Sequence, residues 1–119
     1  MAGRTFVDPT SGLQIVVLTS TAESQGALLR LEFLAHNATA APDDHAHAVE
    51  EEQVEVQVGT VHCRIAGQER VLQAGERIVI PPGTPHAVWA GVDGESRSID
   101  EFRPAGAMED VIAALFREV

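Results

Sequence analysis

Alternating apolar and polar residues in short runs form the strongest pattern in this chain. In Glu52–Val58 every second residue from Val54 onward is a valine, and in Leu29–Phe33 apolar residues alternate with charged ones. A period of two is typical of a strand with one buried face. Turn-like segments such as Ala74-Gly75 and Pro81–Pro85 separate these runs at short intervals. Several short strands between frequent turns predict an all-β sandwich or barrel.

The dipeptide Gly59-Thr60 follows the run Glu52–Val58 directly. It fits a two-residue hairpin turn in which glycine supplies the positive φ. The pattern therefore predicts that Glu52–Val58 pairs with the segment after the turn. The buried face of that partner strand would hold Val61, Cys63 and Ile65.

Only the end of the chain has the helical period. Its apolar residues follow the i, i+3, i+4, i+7, i+8 rule, and they are Met108, Val111, Ile112, Leu115 and Phe116. Glu109 and Asp110 stand in the first turn, where negative charge is favourable. We expect a helix over about 107–118 that covers an outer face or an edge of the barrel.

Length and charge narrow the class of protein. The chain has 119 residues, which suits one domain over 1–119. The net charge is −10, and the eight positive residues are scattered arginines, so no basic patch favours nucleic acid. The apolar runs are too short to span a membrane. A start without a signal-like segment and a single cysteine, Cys63, favour a cytoplasmic protein.

Candidate chemistry is concentrated around His45 and His47. Two histidines at i and i+2 on a strand point to the same side, so both imidazoles can reach one metal ion. A carboxylate from Glu50, Glu51 or Glu52 would complete a mixed site, and parity favours Glu52 because it shares the face of the buried valines. Glu51 belongs to the opposite face, and Glu50 falls in the preceding turn.

A fourth ligand has to come from elsewhere in the chain. The proline-rich reversal Pro81–Pro85 is followed by His86, which opens the next strand. Three imidazoles and one carboxylate suit a single divalent ion such as Fe, Mn, Co, Ni, Cu or Zn, with positions left for water or substrate.

These segments together resemble the two motifs of the cupin superfamily. His45, His47, Glu52 and Gly59 match the first motif, with four residues between His47 and Glu52. The second motif is matched by Gly75, Pro81, Gly83 and His86. The chain departs from the pattern twice, because Thr39 stands where the first motif opens with Gly and Ala90 where the second closes with Asn. Thr39 replaces a glycine that the motif would use in a turn, so a turn at this position is less certain to form. Ala90 replaces a polar residue near the site, which makes the pocket more apolar there.

The resemblance implies a cupin-type double-stranded β-helix, or jelly-roll, barrel with its core at about 27–103 and a short C-terminal helix. It implies a metal held by His45, His47, Glu52 and His86, a small-molecule ligand or substrate, and a homodimer.

Three functions are compatible with these residues. The preferred one is a metal-dependent, dioxygenase-like oxidoreductase that acts on a chelating substrate such as a flavonol-like or diketone compound, with Glu52 also acting as general base. The second is a metal-dependent isomerase, cyclase or decarboxylase that uses the metal as a Lewis acid. The third is a non-catalytic barrel that binds or senses a small ligand.

Overall fold

The computed structural model describes residues 3–91 and 94–119. This part of the chain forms ten strands and one short helix. In chain order they are β1 (Thr5–Val7), β2 (Gln14–Thr19), β3 (Leu29–Ala35), β4 (Glu51–Val58), β5 (Thr60–Ile65), β6 (Gln68–Gln73), β7 (Arg77–Ile80), β8 (His86–Trp89), β9 (Ser96–Arg103), α1 (Met108–Leu115) and β10 (Arg117–Glu118). No helix in these residues is long and apolar enough to span a membrane.

The strands form two antiparallel sheets. The larger has the order β10-β1-β2-β3-β9-β4-β7, and the smaller has the order β6-β5-β8. The predicted all-β jelly-roll barrel with a short C-terminal helix is thus confirmed. The larger sheet extends past both ends of the predicted core 27–103, because β1 and β2 precede it and β10 follows it.

The alternation of β3 and β4 corresponds to the observed burial almost throughout. Leu29, Leu31, Val54 and Val56 are at most 1% exposed. Val58 was expected on the same face but is 38% exposed. The register between β4 and β9 shifts between Val56 and Val58, and this irregularity ends the buried alternation.

The predicted hairpin at Gly59 is wrong. β4 pairs with β7 and β9, whereas β5 pairs with β6 and β8, so Gly59 connects two different sheets. Its φ is 72°, and a Cβ there would lie 2.3 Å from the carbonyl oxygen of Glu95. Glycine is required at this corner by positive φ and by close approach of another segment. Val61 and Cys63 are nevertheless buried as expected.

Two apolar clusters fill the interior. One lies between the end of the larger sheet and α1, and it comprises Phe6, Ile15, Val17, Leu29, Leu31, Phe102, Ala105 and Ile112. The other lies between the two sheets and comprises Val54, Val56, Val61, Cys63, Leu72, Ile78 and Ile80. Burial of these side chains is the main stabilising contribution that the sequence supplies.

The helix is shorter than predicted. It ends at Leu115, and residues 117–118 instead form β10, which pairs with β1. Ile112 packs into the first cluster, so α1 covers the edge of the larger sheet on its inner face and not on its outer face. The first-turn carboxylate of Glu109 accepts hydrogen bonds from the backbone of Thr21 and from Arg4, which fastens α1 to the N-terminal segments.

Candidate metal centre

Glu52 lies near the start of β4 with its side chain on the inner face. It stands opposite Ile80 of β7 and Phe102 of β9, and only 5% of its surface is exposed. Of the three neighbouring glutamates, this is the one that points between the sheets. Glu51 faces the other way, beside the hydrogen-bonded Gln53, and the Glu50 side chain lies against Gly106.

His86 is the first residue of β8 and is 1% exposed. Its Nδ1 lies 2.8 Å from the carbonyl oxygen of Thr84. A carbonyl only accepts, so Nδ1 carries the proton and donates it. Nε2 of the neutral ring is therefore an acceptor, and it faces Oε1 of Glu52 at 3.0 Å. Two acceptors this close require a proton or a cation between them.

His45 and His47 do not lie on a regular strand, contrary to the prediction. Residues 36–50 are irregular apart from one isolated bridge, in which the backbones of His45 and His86 exchange two hydrogen bonds of 2.9 Å. The carbonyl of His47 accepts a bond of 2.7 Å from the N–H of Gly83. Two loop attachments, and not strand parity, turn both rings towards Glu52.

The four predicted residues meet at one point. One ligand atom from each of His45, His47, Glu52 and His86 lies within 4.8 Å of the others. Nε2 of His47 is buried 3.3 Å from Oε1 of Glu52, and within residues 3–91 and 94–119 it has no hydrogen-bond partner. An unpaired buried nitrogen is unfavourable, and a cation bound between these atoms would satisfy it. The donor set of three nitrogens and one oxygen fits a divalent transition metal or zinc.

The charges of the cluster are strongly coupled. Burial opposes ionisation of Glu52, but the imidazoles of His47 and His86 prevail and lower its pKa to about 2. Burial likewise opposes a charge on His86, yet the hydrogen bond to Glu52 raises the pKa of His86. The pKa of His45 is lowered, first by burial and then by the other two histidines. Glu52 is thus a permanent anion at neutral pH, as a metal ligand must be.

Comparison with known families agrees with this geometry. The family model described as "Cupin domain" matches residues 31–100. This chain is a cupin. No curated protein matches it.

Solved structures show the same fold in other cupins and related proteins. KdgF from a Halomonas species is 24% identical, with a TM-score of 0.70 over 83% of this chain and 84% of that one. An RmlC-like cupin from Shewanella frigidimarina is 24% identical, with a TM-score of 0.71 over 90% and 87%. A predicted oxalate decarboxylase from Thermotoga maritima is 15% identical, with a TM-score of 0.72 over 87% and 93%. At these identities the likeness establishes the fold only.

The two departures from the cupin motifs contact each other. The hydroxyl of Thr39 accepts a hydrogen bond of 3.1 Å from the N–H of Ala90 and donates one of 3.2 Å to its carbonyl. The N–H of Thr39 donates a further bond of 2.6 Å to the same carbonyl. Thr39 thus joins the start of the irregular segment to the end of β8. At the position where the first cupin motif has glycine, this chain therefore has a residue that hydrogen-bonds directly to Ala90.

Asp100 is a buried member of the site that sequence reasoning missed. It lies on β9 opposite Val54, is 5% exposed, and accepts a hydrogen bond of 3.4 Å from Ser98. Burial and the neighbouring charge of Glu52 raise the pKa of Asp100 well above its ordinary value. The proton of this carboxyl pair is therefore favoured on Asp100, which hydrogen-bonds to Glu52. The alternation of serine, aspartate and phenylalanine along β9 was the available signal.

An aromatic ring separates the site from the apolar cluster under α1. Phe102 is 3% exposed, and its ring meets His47 edge-on with centroids 5.3 Å apart. On this side the imidazole of His47 contacts hydrocarbon and not water. The group of four candidate ligands is therefore shielded from water by Phe102 on one side and exposed to solvent at His45 on the other.

Proposed function

We propose that this cupin is a metal-dependent oxidoreductase of the dioxygenase-like kind, acting on a small chelating molecule. The observation that carries the proposal is the convergence of His45, His47, Glu52 and His86 on one point, where Nε2 of His47 has no hydrogen-bond partner among the described residues. These four residues would hold one divalent ion of Fe, Mn, Ni, Cu or Zn. A redox-active ion among them would supply Lewis acidity and electron transfer to a bound substrate.

The chain's own residues provide orientation and proton transfer. The hydrogen bond from Nδ1 of His86 to Thr84 sets the tautomer that leaves Nε2 free for a ligand role. The ionised carboxylate of Glu52 can accept a proton from the substrate, with Asp100 hydrogen-bonded behind it. Phe102 keeps water from one side of His47. The exposed ring of His45 marks the side from which a small molecule approaches.

The test begins with metal. Elemental analysis of the purified protein should find a near-stoichiometric divalent ion, and His47→Ala should lose it. Two variants of β4 show whether the position of the carboxylate matters or only the loss of a negative charge. Glu52→Gln removes the inward carboxylate, and Glu55→Gln removes an exposed one. We expect loss of metal in the first and retention in the second.

Activity follows with the reconstituted protein. Oxygen uptake is measured with flavonol-type and β-diketone substrates in the presence of Fe, Mn, Ni or Cu. Substrate-dependent uptake that is absent in His47→Ala supports an oxidoreductase. Metal binding without oxygen uptake on any of these substrates contradicts it.

The pair of carboxyls supports a second candidate, an isomerase, cyclase or decarboxylase that needs no oxygen. Within one hydrogen-bonded pair, the pKa of Glu52 is lowered by the imidazoles beside it and the pKa of Asp100 is raised by burial and by the charge of Glu52. One proton acceptor beside one proton donor is the arrangement that proton-transfer chemistry uses. Turnover that continues under strict anaerobiosis would favour this candidate over the first.

A further inference from the structure

The segment that carries His45 has few attachments of its own. Residues 36–50 form no ladder with either sheet, apart from the bridge between His45 and His86. Thr39 attaches its start to Ala90. Between these two points the segment runs beside β8 at the edge of the smaller sheet, where a side chain of β5 reaches it.

That side chain is Arg64. Its Nε donates a hydrogen bond of 2.8 Å to Oδ1 of Asp44, and its Nη2 donates one of 3.0 Å to the carbonyl of Pro42. Nη2 also lies 2.8 Å from the same Asp44 oxygen. The guanidinium stands 5.5 Å from the centroid of the Trp89 ring. One planar group therefore binds two residues of the segment and stacks on the sheet beneath.

The residues that Arg64 contacts lie next to His45, one of the four candidate metal ligands. Asp44 immediately precedes His45, whose backbone exchanges two hydrogen bonds with His86. Fixing Pro42 and Asp44 therefore fixes the backbone from which the His45 ring projects. The His86 ring is held instead by its own hydrogen bond to the carbonyl of Thr84, within the proline-rich reversal.

An ordinary surface ion pair would contribute little here, since exposed pairs are worth at most about 1 kcal/mol. Arg64 differs in geometry. Its side chain is only 25% exposed, its two acceptors belong to residues two positions apart in the chain, and it lies against an indole. Such a fork is specific to arginine, because a lysine ammonium is a point charge that cannot hold both acceptors in one plane.

We propose that Arg64 is a positioning residue that clamps Pro42 and Asp44 to β5 and thereby aims the His45 imidazole at the metal. This inference rests on the metal site of the proposed function. It does not depend on which reaction the metal serves.

The experiment is a double-mutant cycle read by Zn²⁺ affinity, measured by competition with a chelator on the full chain. Arg64→Gln should weaken Zn²⁺ binding about tenfold, the usual effect of losing a group that orients a ligand. In a His45→Ala background the same change should alter affinity less than about twofold, because the residue through which it acts is gone. Arg64→Lys should recover part of the loss.

Two further readouts separate positioning from folding. With Co²⁺ as probe, the visible spectrum of Arg64→Gln should shift towards that of His45→Ala. The melting temperature of the metal-free variant should stay within about 4 °C of the parent, as expected for loss of one surface ion pair. Arg30→Gln is the matched control, since Arg30 pairs with Glu101 at 3.2 Å on β3 and should leave Zn²⁺ affinity unchanged.

The outcomes are distinguishable. Parent-like Zn²⁺ affinity in Arg64→Gln, or the same loss in both backgrounds, overturns the clamp. A parent protein that binds neither Zn²⁺ nor Co²⁺ overturns the metal site and the clamp together. Binding with the expected cycle but no catalysis leaves the clamp in place and rejects only the proposed reaction.

Discussion

The four metal-site residues belong to two contrasting halves of the molecule. Glu52 and His86 stand on strands, are 5% and 1% exposed, and are enclosed by the apolar cluster between the sheets. His45 and His47 stand on an irregular segment, and His45 is exposed. The strand half is held by backbone ladders and packing. The segment half is held by a small number of side-chain and turn hydrogen bonds.

The two halves of the site therefore have different roles. Burial of Glu52 beside Asp100 favours the negative charge on Glu52. Removing that charge from water is unfavourable, and the packing of the strand half offsets the desolvation free energy. The segment half closes the site and sets its geometry at little cost to the fold. Substitutions in the strand half should therefore change stability and metal binding together, whereas those in the segment half should change metal binding while lowering stability by no more than about 1 kcal/mol.

The largest expected effect is that of His86→Ala. The change removes a fully buried ring and its hydrogen bond to Thr84, so the free energy of unfolding of the metal-free protein should fall by about 2–4 kcal/mol. Zn²⁺ affinity should fall by at least about a hundredfold. Urea unfolding and chelator competition measure the two quantities. Unfolding within 1 kcal/mol of the parent, an allowance about the size of a single neutral hydrogen bond, would contradict the division between the halves.

Asp100→Asn should act in the opposite direction. The raised pKa of Asp100 means that ionisation is disfavoured in the folded state, so the parent loses stability as pH rises from the ordinary value of 3.8 towards the folded pKa. Asparagine keeps the donor to Glu52 and cannot ionise. We expect the variant to be about 1–2 kcal/mol more stable than the parent at neutral pH, because folding of the parent requires Asp100 to take up a proton and folding of the variant does not.

The advantage of Asp100→Asn should shrink as pH falls towards 3.8. Asp110→Asn, on the exposed side of α1, is the control and should show no such trend. Urea unfolding at a series of pH values checks both variants. An advantage for Asp100→Asn that is independent of pH would show that the proton on Asp100 is not its cause.

Thr39→Val tests the attachment at the start of the irregular segment. Valine keeps the shape but removes the hydroxyl that bonds the backbone of Ala90. Stability should fall by about 1 kcal/mol, the usual net worth of such a bond. A loss above about 3 kcal/mol, in the range of core substitutions, would mean that the segment supports the fold and not only the site.

His45→Ala is the smallest change in stability and the sharpest test of the comparison. The free energy of unfolding should stay within about 0.5 kcal/mol of the parent because the side chain is exposed. Zn²⁺ affinity should nevertheless drop clearly. A variant that loses neither stability nor affinity would show that the site needs only His47, Glu52 and His86.

Local patterns predicted the strands and the residues of the site better than they predicted their connections. The alternation in β3 and β4 is a property of consecutive residues, so it can be detected without knowledge of pairing partners. The hairpin at Gly59 was wrong because the same glycine signal serves a tight turn and a corner between sheets. Only contacts with Glu95, which is distant in sequence, distinguish the two.

At the site, too, sequence patterns did not predict contacts between residues that are distant in the chain. His45, His47, Glu52 and His86 follow motif spacing, and the structure brings them together. Asp100 and Arg64 act through residues far from them in sequence, and neither belongs to a motif. Their roles depend on β9 lying beside β4 and on the segment of residues 36–50 lying beside β8, within reach of Arg64. Both are properties of the folded chain.

The backbone bridge between His45 and His86 has a thermodynamic consequence. Two ligand-bearing segments are joined by their own peptide groups, so the fold brings them together without help from an ion. A zinc finger, in contrast, obtains its folding energy from the metal. Ion uptake by this barrel should then order little chain and bury little new surface. The heat-capacity change of Zn²⁺ binding, measured by titration calorimetry at several temperatures, should be close to that of ligand exchange and far below that of a folding transition.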